Sequence, residues 1–384
     1  MLAVVFGAGA VGVGFMGDLL QQSGARTIFY EVNSAVAQSL ARQGRYTISK
    51  ADLERVTPLE VGGVTALDGT DPQSRPRLAE ALAGADLALT SVGARALPLI
   101  GALLAEVSAD RPRPSRPLHV LCCENHRDAA GLLAESLTAG LGPEEASARF
   151  ACVNTVVARM CQLLPPAERN LPPLTPDLEQ AVLVEAYEPF PVDAGALRGP
   201  APALAHLEAV PGDRFPAYEH RKLYAHNGVH ALLAVLGQRR GYEFFHQAGT
   251  DPELDRLGRQ ALWEEVGAAL VRAHPQVFSE ADFDAFARDL YARLVNPVFG
   301  DSVERGVRGS LRMIRPEDGR LSTAALFVAQ QGRAPQALCR GVAAVLLDNG
   351  LDLAGLEPAL VGAAPAAAEQ VRELTAAGLR ALEG

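Results

Sequence analysis

The sequence predicts a doubly wound α/β domain followed by an all-α domain. Two features of the chain carry this. In its first third, short β-branched or continuously apolar runs alternate with helix-period segments. That is the pattern of strands buried on both faces of a parallel sheet and joined by covering helices. After Pro216 strand signals nearly vanish, and long helix-period segments follow one another. A chain of 384 residues is too long for one compact core, so two domains are expected, assigned to residues 1–196 and 197–384.

The elements are read in chain order. Leu2–Phe6 is a β-branched opening strand, Val11–Gln22 has helical periodicity, and Thr27–Tyr30 is a second strand. Tyr46–Ser49, Leu59–Val61 and Val64–Leu67 read as short antiparallel strands around the Gly62–Gly63 turn. Asp86–Val92 and His119–Cys123 are apolar throughout, as central parallel strands are. Ala151–Met160 and Ala181–Tyr187 are further strands, with the Pro-rich stretch Leu163–Pro176 a loop between them. Asp193–Pro216, with its Pro and Gly residues, is read as the domain link. Helices are then expected over Tyr218–Leu236, Leu254–His274, Ala281–Leu294, Ser322–Gln330, Pro335–Asn349 and Glu357–Leu382. The last is rich in Ala and Leu, which favour helix.

Composition narrows the class of protein. Hydrophobic residues make up 48% and charged residues 21%, the balance of a globular protein. No apolar run reaches the ~18 residues of a membrane span, so no membrane partner is expected. The opening run Met1–Phe6 has no basic flank or cleavage site and does not read as a signal peptide. The five cysteines include no C-x-x-C pair, which suggests neither a zinc site nor a disulfide framework and fits a cytoplasmic protein. A net charge of −10 argues against a nucleic-acid partner. It leaves room for a small anionic substrate held by a local cluster of Arg or Lys. No heptad seam or dedicated interface is visible, so monomer and homodimer both stay open.

Gly7-Ala8-Gly9-Ala10-Val11-Gly12 spells G-x-G-x-x-G, placed directly after a strand and at the opening of a helix. That context is what makes the motif a dinucleotide fingerprint, and with it the first domain reads as Rossmann-type. Gly7 permits the tight turn, Gly9 lets the backbone approach a pyrophosphate, and Gly12 allows close helix–strand packing. The helix N-terminus presents N–H groups to the phosphates. Glu31 follows the second strand. A carboxylate there accepts hydrogen bonds from ribose hydroxyls and repels a 2′-phosphate, so NAD is the expected cofactor rather than NADP. Thr90–Gly93 and Cys123–Asn125 are strand ends at the same edge. Ser91, Gly93 and Asn125 are therefore candidates for the nicotinamide half, each equally readable as a turn residue.

An alcohol-oxidising enzyme needs a base for the hydroxyl proton and donors for the developing alkoxide. Zinc ligand sets such as H-E-x-x-H are missing, so a metal-free site of Lys, Asn and His is sought. At 3.6 residues per turn, Lys222, His226, Asn227 and His230 fall within an arc of about 140° on one helix face. This face is unusually polar for a helix that runs on into Ala231–Leu236. Periodicity alone leaves a solvated helix start as the alternative and does not choose between His226 and His230.

Four segments carry a resemblance to the polyol-specific long-chain dehydrogenases. They are the glycine loop with Glu31-Val32-Asn33; Cys123-Glu124-Asn125; Arg221-Lys222-Leu223 with Asn227 and His230; and Arg293-Leu294-Val295-Asn296-Pro297 followed by Asp301 through Arg305. The resemblance implies that Lys222 is the general acid/base, its pKa lowered by burial and by cofactor charge. It implies that Asn227 polarises the reacting oxygen and that His230, not His226, holds a substrate hydroxyl. Asn154, before Thr155–Arg159, matches a second asparagine of the family, and two such amides make an oxyanion-type site. Asn33 joins the cofactor-binding set.

Ala158 departs from the pattern, standing where the family has Asp. Arg305, Arg308 and Arg312 are candidates for a substrate phosphate, with a solvated helix face as the alternative. The implied reaction interconverts a sugar-alcohol phosphate and a ketose phosphate, with mannitol 1-phosphate and fructose 6-phosphate the favoured pair. The alternatives are a free mannitol or sugar-acid (uronate) dehydrogenase of the same family, or a non-catalytic NAD-binding sensor.

Overall fold

A computed structural model describes residues 1–109, 112–316 and 319–383. The chain forms two compact units, Met1–Phe215 and Pro216–Gly384.

The first unit is built on a six-stranded parallel sheet in the order β5-β2-β1-β6-β7-β8. Its strands are β1 (Leu2–Phe6), β2 (Arg26–Glu31), β5 (Val64–Asp68), β6 (Leu87–Thr90), β7 (Leu118–Cys122) and β8 (Phe150–Asn154). Side chains alternate between its faces, as the pleat requires. Ala3 and Val5 point into one core, Val4 and Phe6 into the other. The Val4 side is covered by α3 (Ser74–Gly84), α4 (Leu97–Ser108), α5 (Ala129–Leu141) and α6 (Pro143–Arg149). The Val5 side is covered by α1 (Gly17–Gln22), α2 (Ser34–Gln43) and a second sheet. That sheet has the order β4-β3-β10-β9, with β3 (Arg45–Ala51), β4 (Val56–Gly62), β9 (Cys161–Leu164) and β10 (Ala181–Glu185). A short helix, α7 (Pro166–Arg169), follows β9, and β11 (Phe190–Asp193) pairs in parallel with β12 (Leu207–Val210).

Several sequence expectations are corrected here. Val64–Leu67 is not an antiparallel partner of its predecessor. Only β3 and β4 pair that way, while β5 crosses the Gly62–Gly63 turn to join β2 in parallel. Leu163–Pro176 is not all loop, because Leu163 and Leu164 pair with β10 and residues 166–169 are helical. The strand read over Ala151–Met160 stops at Asn154. Thr155 turns its hydroxyl to the Cys122 carbonyl, and the Val156 N–H goes to Pro191, so the chain leaves the sheet toward β11. The division between units falls after Phe215 rather than after residue 196, because the β11–β12 pairing ties residues 207–210 to the first unit.

The second unit is helical. α8 (Phe215–His220) continues through a π-helical stretch, Arg221–Asn227, into α9 (Gly228–Arg239). α9 is buried from Gly228 to Gly237 and packs against two later helices, α14 (Val303–Val307) and α16 (Gln336–Asp348). Such all-round burial marks a central helix. Between α9 and α14 come α10 (Phe245–Thr250), α11 (Pro252–Arg259), a π-helical stretch (Gln260–Gly267), α12 (Ala268–Ala273) and α13 (Glu280–Leu294). The start of α11 is fixed by the Asp251 cap with Pro252 behind it, and that of α13 by the Ser279–Asp282 capping box. α15 (Ser322–Gln330) precedes α16, and α17 (Glu357–Leu360) and α18 (Pro365–Glu383) complete the unit. The single helix expected over Glu357–Leu382 is thus two, separated at Gly362, whose φ is +78°. Among the described residues no helix is long and apolar enough to cross a membrane.

Candidate active site

The first unit gathers its candidate residues along one line of the sheet. Phe6 pairs with Tyr30 on one side and Thr90 on the other, Thr90 pairs with Cys122, and Cys122 with Asn154. Gly7, Glu31, Ser91 and Cys123 are each one residue further along. The carboxyl edge of the sheet, where such folds bind their ligands, therefore carries the glycine loop, Glu31, Ser91, Gly93, Asn125 and Asn154 together.

The three glycines meet different surroundings. Gly7 has φ +93°, and a Cβ there would lie 2.7 Å from the Ser91 carbonyl oxygen. At Gly12 a Cβ would lie 2.1 Å from the Gly7 oxygen. At Gly9 nothing lies within 4 Å. The outer glycines thus let the backbone close on itself, and the middle one borders open space that a pyrophosphate can enter. Glu31 braces the loop: Oε2 accepts the Ala8 N–H at 2.6 Å and Oε1 the Asn33 N–H at 2.7 Å. Asn33 is the N-cap of α2, its Oδ1 accepting the Val36 N–H. The Ser91 hydroxyl lies beneath the loop and donates to the Gly7 carbonyl at 3.1 Å. Gly93 has φ +82°, and Asn125 is exposed.

A π turn, Gly12–Met16, follows the loop, closed by the Gly17 N–H reaching back to the Gly12 carbonyl. The wider turn frees carbonyls. The Tyr46 hydroxyl takes that of Val13 at 2.9 Å, and Arg159 Nη1 that of Gly14 at 3.2 Å. Arg159 is buried, pairs with Asp18 at 2.6 Å and lies over the Phe15 ring. Burial pushes the Asp18 carboxyl upward, but the Arg159 hydrogen bond and charge outweigh it and leave the group below its usual range. The arginine next to the Ala158 departure thus takes its carboxylate from the first helix. Asn154 uses Oδ1 to accept the Ala130 N–H at 2.8 Å at the start of α5.

One residue of this edge was given no role from sequence. Glu124 is 7% exposed and bridges two strand ends, accepting the Thr90 hydroxyl at 2.7 Å and the Val92 N–H at 3.0 Å. Burial raises its carboxyl above the usual range in spite of these bonds. The signal available was a carboxylate directly after an apolar strand.

In the second unit, Lys222, His226, Asn227 and His230 share the helix that runs through α8 and α9. The arc expected for a regular α-helix is replaced by the π stretch, in which the Gly228 N–H reaches back to Leu223. Lys222 and Asn227 are half-buried, while His226 and His230 are buried. His226 is held well below its ordinary pKa, first by burial and then by the charges of Arg293, Lys222 and Arg305.

His230 has a defined partner: Nε2 is 2.8 Å from Asp301 Oδ2, and the ring stacks on Phe245. Asp301 also receives the Arg305 fork, with Nε donating to Oδ1 at 2.7 Å. Burial alone would raise the Asp301 carboxyl, but His230 and Arg305 bring it down to about 2. His230 is itself below its usual value, because burial outweighs the attraction of Asp301. The pair is thus a neutral imidazole donating Nε2–H to a carboxylate, with Nδ1 left as the acceptor. Arg305 joins this pair through Asp301. Arg308 is exposed beside Glu304, and Arg312 is exposed in a 3₁₀ turn.

A glycine-loop sheet in one unit and a cationic, imidazole-bearing helix in the other define a nicotinamide-dinucleotide-dependent dehydrogenase. Residues 1–205 match the mannitol dehydrogenase Rossmann domain and residues 215–349 the mannitol dehydrogenase C-terminal domain. The chain belongs to the mannitol dehydrogenase family. It is 32% identical over 350 residues to a mannitol-1-phosphate 5-dehydrogenase of Anoxybacillus flavithermus, covering 90% of this chain and 87% of that protein. A mannitol-1-phosphate 5-dehydrogenase of Geobacillus thermodenitrificans is also 32% identical, with 90% and 86% covered. Among solved structures, Pseudomonas fluorescens mannitol 2-dehydrogenase in ternary complex with NAD and D-mannitol shares the fold. Its TM-score is 0.74 at 16% identity, over 99% of this chain and 91% of that one. A substrate-free D-sorbitol dehydrogenase gives 0.71 at 14% identity, over 99% and 94%.

Proposed function

We propose that the chain is an NAD-dependent dehydrogenase that interconverts mannitol 1-phosphate and fructose 6-phosphate. The observation that carries this is the 32% identity to mannitol-1-phosphate 5-dehydrogenases across 90% of the chain. The glycine loop and Glu31 fit NAD: open space at Gly9 suits the pyrophosphate, and a carboxylate beyond β2 suits a ribose without a 2′-phosphate. Held by the glycine loop and Glu31, NAD would supply the hydride acceptor for oxidation and NADH the donor for reduction.

The chain's own residues manage the proton and the oxygen. Lys222 is proposed as general base for oxidation, its Nζ taking the hydroxyl proton as the carbonyl forms, and as the acid in reverse. Its place on the same helix as His226, Asn227 and His230 supports this. Asn227 is proposed to donate an amide hydrogen to the reacting oxygen. Asn154 is proposed as a second donor, because its Oδ1 is committed to Ala130 and its Nδ2 hydrogens are the ones left to give. His230, fixed by Asp301, offers Nδ1 to a substrate hydroxyl. Arg305 is proposed as the phosphate contact on the strength of its place beside His230. The five free cysteines support a cytoplasmic location.

The test is NADH oxidation at 340 nm with fructose 6-phosphate and with fructose in parallel, for the wild type and Lys222→Met. Turnover on the phosphate is expected to fall about 10²–10⁴-fold in the variant, with NADH affinity unchanged. Full activity in Lys222→Met would remove its assignment, and turnover on fructose alone would move the substrate to the free sugars.

A further inference from the structure

A cavity of about 780 Å³ opens at the amino-terminal edge of the six-stranded sheet, the end opposite the glycine loop. Its floor is the start of β7 at Leu118 and His119 and the start of β8 at Phe150. Residues 112–117 before β7 and residues 198–203 after β11 wall it, contributing Pro112, Pro114 and Pro117 on one side and Pro200 and Pro202 on the other. Proline offers no N–H and a fixed φ, so these residues give the walls apolar patches with restricted backbones. The volume lies within the roughly 300–1,000 Å³ of small-molecule sites.

The charge lining this cavity is unlike that of the whole chain. Among the described residues three arginines line it, Arg116, Arg149 and Arg198, against one carboxylate, Asp86, in a chain of net charge −10. Asp86 already accepts the Leu2 N–H at 2.8 Å, and Arg149 is paired with Glu145 at 2.9 Å. Among the described residues neither Arg116 nor Arg198 has a carboxylate partner. Between them His119 is 8% exposed, and its Nε2 accepts the Arg198 backbone N–H at 3.0 Å. That bond makes Nδ1 the N–H of the neutral ring. Arg116 and Arg198 line the cavity together with this ring, and burial and the charges of the two arginines lower its pKa.

We infer that this cavity is a binding site for a small organic anion, a carboxylate or phosphate monoester carrying an apolar group. The guanidiniums of Arg116 and Arg198 hold the anionic head, and the proline walls and Phe150 cover the apolar body. Two forked cations around an open space suit bidentate oxyanion contacts. The site is separate from the nucleotide edge: β7 is five residues long, so about 13 Å of strand lies between its ends.

The experiment is calorimetric titration of the full chain, saturated with NADH, with phenyl phosphate, benzoate and neutral benzyl alcohol. Saturable binding of phenyl phosphate or benzoate is expected, the stronger of the two naming the head group, with benzyl alcohol at least tenfold weaker. An Arg116→Gln/Arg198→Gln double variant is expected to weaken binding at least tenfold without changing dehydrogenase turnover. Ala201→Trp, which fills the cavity and keeps its charges, is expected to do the same. Absence of saturable binding to the wild type, equal binding of benzyl alcohol, or undiminished binding in both variants would overturn the proposal. The binding readouts, which decide the proposal, do not depend on the identity of the polyol substrate.

Discussion

Replacing Asp301 by Asn removes one charge from the centre of the second unit and changes little else in size. Asp301 is 2% exposed and accepts from both His230 and Arg305. Its carboxyl is lowered from 3.8 to about 2. A group with a depressed folded pKa contributes stability above its unfolded pKa, and loses it as pH falls through the folded value. At pH 7 the contribution is therefore fully present, and the shift corresponds to about 2 kcal/mol. Arg305 is more than a third exposed and is solvated when its partner is neutral, so Asp301→Asn is expected to lose about 2 kcal/mol. Urea unfolding at pH 7 of the wild type, Asp301→Asn, His230→Gln and the double variant measures this as a cycle, with a coupling of about 1 kcal/mol or more expected between adjacent partners. The amide also accepts or donates toward Nε2 with equal ease, so the imidazole is no longer held in one tautomer and KM for the polyol should rise. A loss below about 0.5 kcal/mol, or strict additivity in the cycle, would refute the account of an ionised Asp301 fixing a neutral His230.

Three further outcomes follow from geometry already described. Glu31→Gln removes the charge that opposes a 2′-phosphate, and the ratio of kcat/KM for NADH over NADPH is expected to fall about tenfold, equivalent to about 1.4 kcal/mol; an unchanged ratio would separate Glu31 from cofactor choice. Gly12→Ala places a methyl group 2.1 Å from the Gly7 oxygen, so the loop must shift, and NADH affinity measured by fluorescence titration should fall at least about tenfold. Glu265, in the π stretch Gln260–Gly267, is buried against the start of α16, accepting the Ala337 and Leu338 N–H groups, and burial raises its carboxyl to about 7. Stability linked to this raised group is full below 4.5 and is lost as pH rises through about 7, by about 3 kcal/mol in all. Glu265→Gln should therefore gain on the wild type between pH 5 and pH 8, and parallel urea midpoints at the two pH values would contradict this.

The parts of the fold that local pattern determines were legible in the chain. Leu2–Phe6 and the glycine loop after it are contiguous, and each glycine has a distinct steric reason that a motif can hold. The helices Ser322–Gln330 and Gln336–Asp348 were visible because their apolar faces repeat at the helical period. What escaped were decisions made by distant partners. Val64–Asp68 has strand chemistry whichever neighbour it takes, and only the assembled sheet sends it to β2 and not β4. The π stretches escaped because a 3.6-residue period does not register one extra residue. For the site, the residue types on the polar helix were readable. The link from His230 to Asp301 spans 71 residues, and no spacing rule reaches that far. Glu124 escaped for a related reason, since its partners Thr90 and Val92 belong to another strand end.

The π stretch at Arg221–Asn227 bears on how such an enzyme can change over generations. A π turn is a helix that has absorbed one residue more than its flanks need. Upstream, Tyr218 rests on Phe278, and downstream His230 is tied to Asp301. Both anchors lie outside the stretch, and Lys222 and Asn227 lie within it. A single codon gained or lost in this window alters which side chains the helix presents, while its two ends keep their moorings. Insertion and deletion, as well as substitution, can thus change which side chains this helix presents between its two anchors.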